Sequence, residues 1–113
     1  MCTQLELNEI LKKMIKLYQQ VYGESLCAIY LYGSYARGES TSESDIDIAA
    51  IAEGDRGKLQ EQLKEVWNIS SEIGLDYDVI ISPTVIPHRE FENFKNILPY
   101  YKNIVKEGVK LDE

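Results

Sequence analysis

Gly33-Ser34-Tyr35-Ala36-Arg37-Gly38, followed by Ser44-Asp45-Ile46-Asp47-Ile48, is the stretch from which the rest of the chain can be read. It begins where an apolar run, Leu26-Cys27-Ala28-Ile29-Tyr30-Leu31-Tyr32, stops. That run is short, rich in aromatics and free of charge, which predicts a buried strand. A second strand is predicted over Asp45–Ile51. Its period of two puts Asp45 and Asp47 on one face and Ile46 and Ile48 on the opposite, buried one. A rise of ~3.3 Å per residue leaves the two carboxylates about 7 Å apart at Cβ, near enough to bracket a hard cation. Like charges so placed repel unless a cation neutralises them or one is protonated. An Asp-x-Asp by itself is equally what a solvated strand face looks like.

Between the strands, Gly33-Ser34 reads as a turn that exposes backbone N–H groups before a short helix. Glycine lets a phosphate approach closely, and Ser34 adds a hydroxyl donor. An ordinary turn has the same composition. Arg37 can reach a phosphate or a nearby carboxylate, or simply pair with an exposed Glu. Gly38 suits a left-handed backbone position.

Upstream, Thr3 and Glu6 form a capping-box pattern. Leu7, Ile10, Leu11, Met14, Leu17, Tyr18 and Val21 then repeat as one helical face, stopped at Gly23. Downstream, Asp55 caps a helix whose apolar face is Leu59, Leu63, Val66, Trp67 and Ile73, with Gly74 as its stop. A third strand is predicted over Asp76-Tyr77-Asp78-Val79-Ile80-Ile81. If it neighbours the second, Asp78 joins Asp45 and Asp47, and three carboxylates make a Mg²⁺ site of the kind used with nucleotide phosphates. Pro83 and Pro87 bound an irregular connection. A last helical region runs from about Arg89 to Glu107, interrupted near Pro99. Its apolar residues, Phe91, Phe94, Leu98, Tyr100, Tyr101 and Val105, are expected chiefly in the core, with a docking surface as the alternative. The order predicts one α/β (α+β) domain over 1–113, a small sheet covered by helices.

With 113 residues the chain can bury roughly two-thirds of its unfolded surface. Twelve Lys and Arg against nineteen Asp and Glu give a net charge of −7, which argues against broad nucleic-acid or anionic-membrane binding. No apolar run approaches the roughly 20 residues of a membrane span, and the charged N-terminus has no signal-peptide core. Cys2 and Cys27 are too few for a disulfide scaffold or a four-ligand zinc site, and a cytoplasmic location with free thiols is expected. The only histidine, His88, follows Pro87 and is expected at a surface turn without metal partners. Walker-type and dinucleotide glycine motifs are missing, as are an EF-hand loop and a Gly-x-Ser-x-Gly elbow.

Taken together, the Gly-Ser-x-Ala-Arg-Gly turn at 33–38, Ser44-Asp45-Ile46-Asp47 and Asp78 resemble the signature of the polymerase β-like nucleotidyltransferase superfamily. The closing stretch from Ile97 to Gly108 resembles the tail of its small stand-alone group, the minimal nucleotidyltransferases. The resemblance implies a small mixed sheet flanked by helices. It implies transfer of a nucleoside monophosphate, AMP from ATP, to a hydroxyl with release of pyrophosphate. Gly33 and Ser34 would hold the triphosphate, with Arg37 and Ser44 contacting the nucleotide or bracing its loop. Asp45 and Asp47 would bind one or two Mg²⁺ ions, and Asp78 would complete the catalytic set. Members of the group act as antitoxins that adenylylate a tyrosine of a HEPN-domain toxin, and such a partner supplies the acceptor in trans. The rival readings are a silent antitoxin that only binds, and a transferase for a small molecule such as an aminoglycoside.

Overall fold

A computed structural model describes residues 3–41 and 43–111. Helix α1, Gln4–Tyr22, starts from the expected box: Thr3 Oγ1 accepts from the Glu6 N–H at 3.1 Å, and Glu6 Oε1 accepts from the Thr3 N–H at 3.0 Å. A 3-10 turn over Gly23–Ser25 leads into β1, Leu26–Tyr32, and then a one-turn helix, α2, Ser34–Arg37. Next come β2, Ile46–Ala52; α3, Arg56–Tyr77; β3, Ile81–Pro87; α4, His88–Phe94; α5, Pro99–Glu107; and β4, Val109–Lys110.

The sheet order is β3-β2-β1-β4. β1 is antiparallel to β2 and to β4, whereas β2 and β3 are parallel, so the sheet is mixed. The α3 crossover is what makes the parallel pair possible. One face is covered by α1 and α3. Ile29, Leu31, Ile46, Ile48, Ala50, Ile81 and Val85 meet Ile10, Met14, Tyr18, Leu59 and Val66 there. The other face holds a smaller core of Ala49, Ile51, Ile86, Phe91, Tyr101 and Ile104 beneath α4 and α5. Tyr18 lies wholly inside the larger core, and its hydroxyl donates to the Thr84 carbonyl at 3.0 Å. That bond meets the demand of a buried polar group.

The third strand lies five residues later than the sequence predicts. Helix α3 runs through Gly74 to Tyr77, and Asp78 follows in the left-handed conformation, φ 55°, ψ 47°. The Asp78 N–H donates to the Leu75 carbonyl, and the Val79 N–H to the Gly74 carbonyl at 2.9 Å, which satisfies the helix's last carbonyls. Gly74 is therefore no stop. It stands inside the last turn, where a Cβ would come 2.6 Å from the returning Val79 carbonyl oxygen. Pro83 lies within β3 rather than after it, which an edge strand tolerates.

Three smaller departures follow. Trp67 is 44% exposed, and Ser70 and Gly74 fill the buried stripe of α3 instead. The last helical region is interrupted before Pro99, as expected, and only part of its apolar face is core. Phe91 and Tyr101 are core, while Phe94, Leu98, Tyr100 and Val105 are exposed. β4 pairs at Tyr30 and Leu31 and was invisible in so short an exposed segment.

Candidate active site

The odd-numbered residues of β2 face α4 and α5, so Asp47 points out of the same side as Ala49 and Ile51. Register places Tyr32 of β1 opposite Asp47, and Ser82 of β3 on its other flank. Tyr32, Asp47 and Ser82 thus form a row across three strands. Asp45, exposed just before β2, joins it, because Ser82 Oγ donates to Asp45 Oδ2 at 3.4 Å. Ile46 and Ile48 are fully buried on the opposite face, as the alternation requires.

The Gly33-Ser34 turn meets this row directly. Gly33 has φ +76°, and a Cβ there would strike Asp47 Oδ2 and lie 3.3 Å from Asp47 Cγ. Only glycine allows both the backbone angle and the approach. Burial holds the Asp47 carboxyl above the usual carboxylate range, and the charge of Asp45 adds to that rise, while Arg37 pulls it back. Two carboxylates that share a site, one of them half-buried, form the hard oxygen donor set that Mg²⁺ takes. The residues present therefore fit a divalent cation.

Arg37 braces as well as borders the turn. Its Nε lies 3.6 Å from Glu39 Oε1, and its Nη1 lies 3.5 Å from Glu107 Oε2 at the end of α5. Gly38, φ +71°, takes the left-handed position expected of it. The Ser44 hydroxyl accepts from the Thr41 N–H at 2.8 Å and so closes the loop before Asp45. Tyr32 is held in place by Tyr100: their hydroxyls are 2.8 Å apart and their rings meet edge to face. Burial, and then that hydrogen bond, push the Tyr32 phenol well up.

Asp78 does not reach the pair through the sheet. Asp78 is the left-handed C-cap residue of α3, three residues before β3, and Ser82 occupies the position beside Asp47. It lines a hollow of ≈ 450 Å³ with Tyr35, Glu43 and Ser44. Among the described residues, no third acidic oxygen joins Asp45 and Asp47 in a cluster within 4.8 Å. Ser82 and Glu107 were missed by sequence reasoning. The first lies just past the predicted end of the third strand, before a proline taken as a break, and the second is 70 residues from Arg37.

The Nucleotidyltransferase domain model matches residues 7–111. "Putative protein adenylyltransferase MJ1305" of Methanocaldococcus jannaschii is 33% identical over 93 residues, covering 82% of this chain and 63% of the relative. The chain thus spans slightly under two-thirds of that relative's length. A second protein of the same organism and the same description, MJ0604, is 30% identical over 101 residues, covering 89% and 93%. Among solved structures, a minimal nucleotidyltransferase superposes with a TM-score of 0.62 at 16% identity, over 93% of this chain and 92% of the other. A toxin-antitoxin crystallised with AMP-PNP gives 0.53 at 23% identity, over 88% and 70%. With a family match that takes in nearly the whole chain and a glycine hook seated on an Asp-x-Asp strand, this chain belongs to the nucleotidyltransferase domain family.

Proposed function

We propose that the chain transfers AMP from ATP, with Mg²⁺, to a hydroxyl of a partner protein. The acceptor in this reading is a tyrosine of a HEPN-type toxin, and the chain serves as its antitoxin. The observation that carries the reading is that the Asp47 carboxylate occupies the space a Gly33 Cβ would take, which sets the Asp-x-Asp strand against the Gly-Ser turn. Support for a protein acceptor comes from the relatives described as "Putative protein adenylyltransferase" at 30–33% identity. Support for a toxin partner is the fold shared with the toxin-antitoxin chain.

In the proposed reaction the acceptor oxygen bonds to the α-phosphorus and the bond to the β-phosphate bridging oxygen breaks. Pyrophosphate leaves, and the hydroxyl proton passes to a carboxylate or to water. Gly33, Ser34 and the first turn of α2 orient the triphosphate through backbone N–H groups. Asp45 and Asp47 hold the cation, which when bound neutralises charge on the phosphate oxygens. Arg37 borders the hook, and Ser44 keeps the approach loop closed. Asp78 is proposed as a third carboxylate only at the remove where the α3 cap holds it. The change Asp78→Asn should therefore cost transfer less than about tenfold, against on the order of 100-fold or more for Asp45→Asn or Asp47→Asn, since even residues behind a metal ligand carry 10–100-fold effects.

The test is intact mass of the partner after incubation with the chain, Mg²⁺ and each nucleoside triphosphate in turn. One added AMP, from ATP alone, lost with Asp47→Asn and with chelator, is the expected result. The second reading, a silent antitoxin that neutralises by binding, is favoured by the position of Asp78 away from the pair. It wins if the Asp45→Asn/Asp47→Asn double variant still protects cells from the toxin.

A further inference from the structure

At the other end of the sheet, three metal-binding side chains from three elements converge. Cys27 lies in β1 at the register shift between Leu26 and Ala28, an irregularity of the kind that re-aims a side chain. Glu53 directly follows β2, its backbone fixed by an N–H donated to the Ser25 carbonyl at 2.8 Å. His88 opens α4, directly after Pro87, whose register partner is Ala52. One ligand atom from each, thiol sulfur, carboxylate oxygen and imidazole nitrogen, lies within 4.8 Å of the other two. Bonds of ~2.0–2.3 Å at tetrahedral angles put zinc ligands roughly 3.5 Å apart. Closing onto an ion therefore needs only small rotations of side chains that are exposed or half-exposed.

We propose that Cys27, Glu53 and His88 form a second metal site, for a Zn²⁺-class ion, at the sheet end opposite the Asp45–Asp47 pair. The donor set decides the class. A thiolate and an imidazole are borderline-to-soft ligands that favour zinc over magnesium, whereas the Asp45–Asp47 set is all oxygen. The thiol's own hydrogen bond, to the Ser25 carbonyl, is long at 3.5 Å. Glu92 Oε1 stands 3.7 Å from His88 Nε2, placed to orient the ring, and the fourth position stays free. The adjoining hollow of ≈ 680 Å³, lined by Glu53, Arg56, His88 and Phe94, leaves that position open to an exchangeable ligand. Six residues at ~3.3 Å each separate Glu53 from Asp47 by about 20 Å, so the two metal sites are independent.

The test is titration of the metal-free chain with Co²⁺ and then Zn²⁺. The expected result is a thiolate-to-cobalt charge-transfer band in the near ultraviolet, displaced by Zn²⁺, with a Zn²⁺-induced rise in Tm. Cys27 is exposed, so Cys27→Ser should fold normally while abolishing the band and weakening Zn²⁺ binding on the order of 100-fold. His88→Ala should weaken it at least tenfold. Cys2→Ser, and Asp45→Asn with Asp47→Asn, should leave it intact. A wild-type titration without the band, a band that survives Cys27→Ser, or one that disappears with Cys2→Ser overturns the proposal.

Discussion

Asp47 holds its carboxyl in surroundings that disfavour its charge. Its carboxyl is held up by burial and by Asp45, so its folded pKa lies above the unfolded value. A group shifted that way favours the fold below the ordinary carboxylate pKa of ~3.9, and the benefit disappears as pH rises through the folded pKa. At neutral pH the metal-free protein therefore carries a repulsion that Asp47→Asn removes. Metal-free Asp47→Asn should melt higher than wild type at pH 7, and the two should converge in acid. In excess Mg²⁺ only the wild type should gain Tm. A lower Tm for the variant at pH 7 without metal would show that the carboxylate is compensated by partners other than a cation. Much of this site was legible because Gly33, Ser34, Asp45 and Asp47 sit within one short stretch, where strand alternation fixes direction. His88 was read as a turn residue without partners. The sheet brings Cys27 and Glu53 to it across gaps of 61 and 35 residues, and no local pattern signals such a meeting.

At the scale of elements, the junction of α3 and β3 shows where propensity misleads. Asp76-Tyr77-Asp78-Val79 alternates like a strand, and Gly74 resembles a terminator. Yet the helix continues until Asp78 turns left-handed. Glycine at 74 serves the close return of Val79 rather than a change of backbone hand. A left-handed non-glycine residue costs roughly 1–2 kcal/mol, less for Asp than for most. Asp78→Gly should therefore stabilise the chain by about 1 kcal/mol in urea unfolding, and Asp78→Ala should destabilise it by a similar amount. No change for glycine would mean that the cap is not left-handed in solution. Capping at Thr3 and Asp55, by contrast, was plain in the sequence, because each cap oxygen and the backbone amide that donates to it lie three residues apart.

For the whole molecule, the two faces of the sheet are unequal. The α1–α3 side joins many buried residues. Among the described residues, the α4–α5 side rests on six, and it is this side that carries Asp47, Tyr32 and Ser82. Ile104, fully buried, is the peg of that thinner core. Ile104→Ala should cost about 3 kcal/mol and raise amide exchange in α5 and β4 well before α1. Uniform loss of protection would show instead that the two cores open together. The sequence pattern announced apolar helix faces but not which layer each would join. That choice is made by strand order, and β4 with its two residues left no periodic trace.

The bridge from Arg37 to Glu107 ties the phosphate hook to the tail end of the last helix. An anion that draws the guanidinium away leaves that glutamate without its counter-charge. By reciprocity, anything that engages the glutamate elsewhere makes the hook a better receptor for anions. An exposed pair of this kind is worth up to ~1 kcal/mol, about fivefold in affinity. Under the proposed function, nucleotide loading at the turn and the grip of a partner on the helix tail would therefore be linked, softly and in both directions.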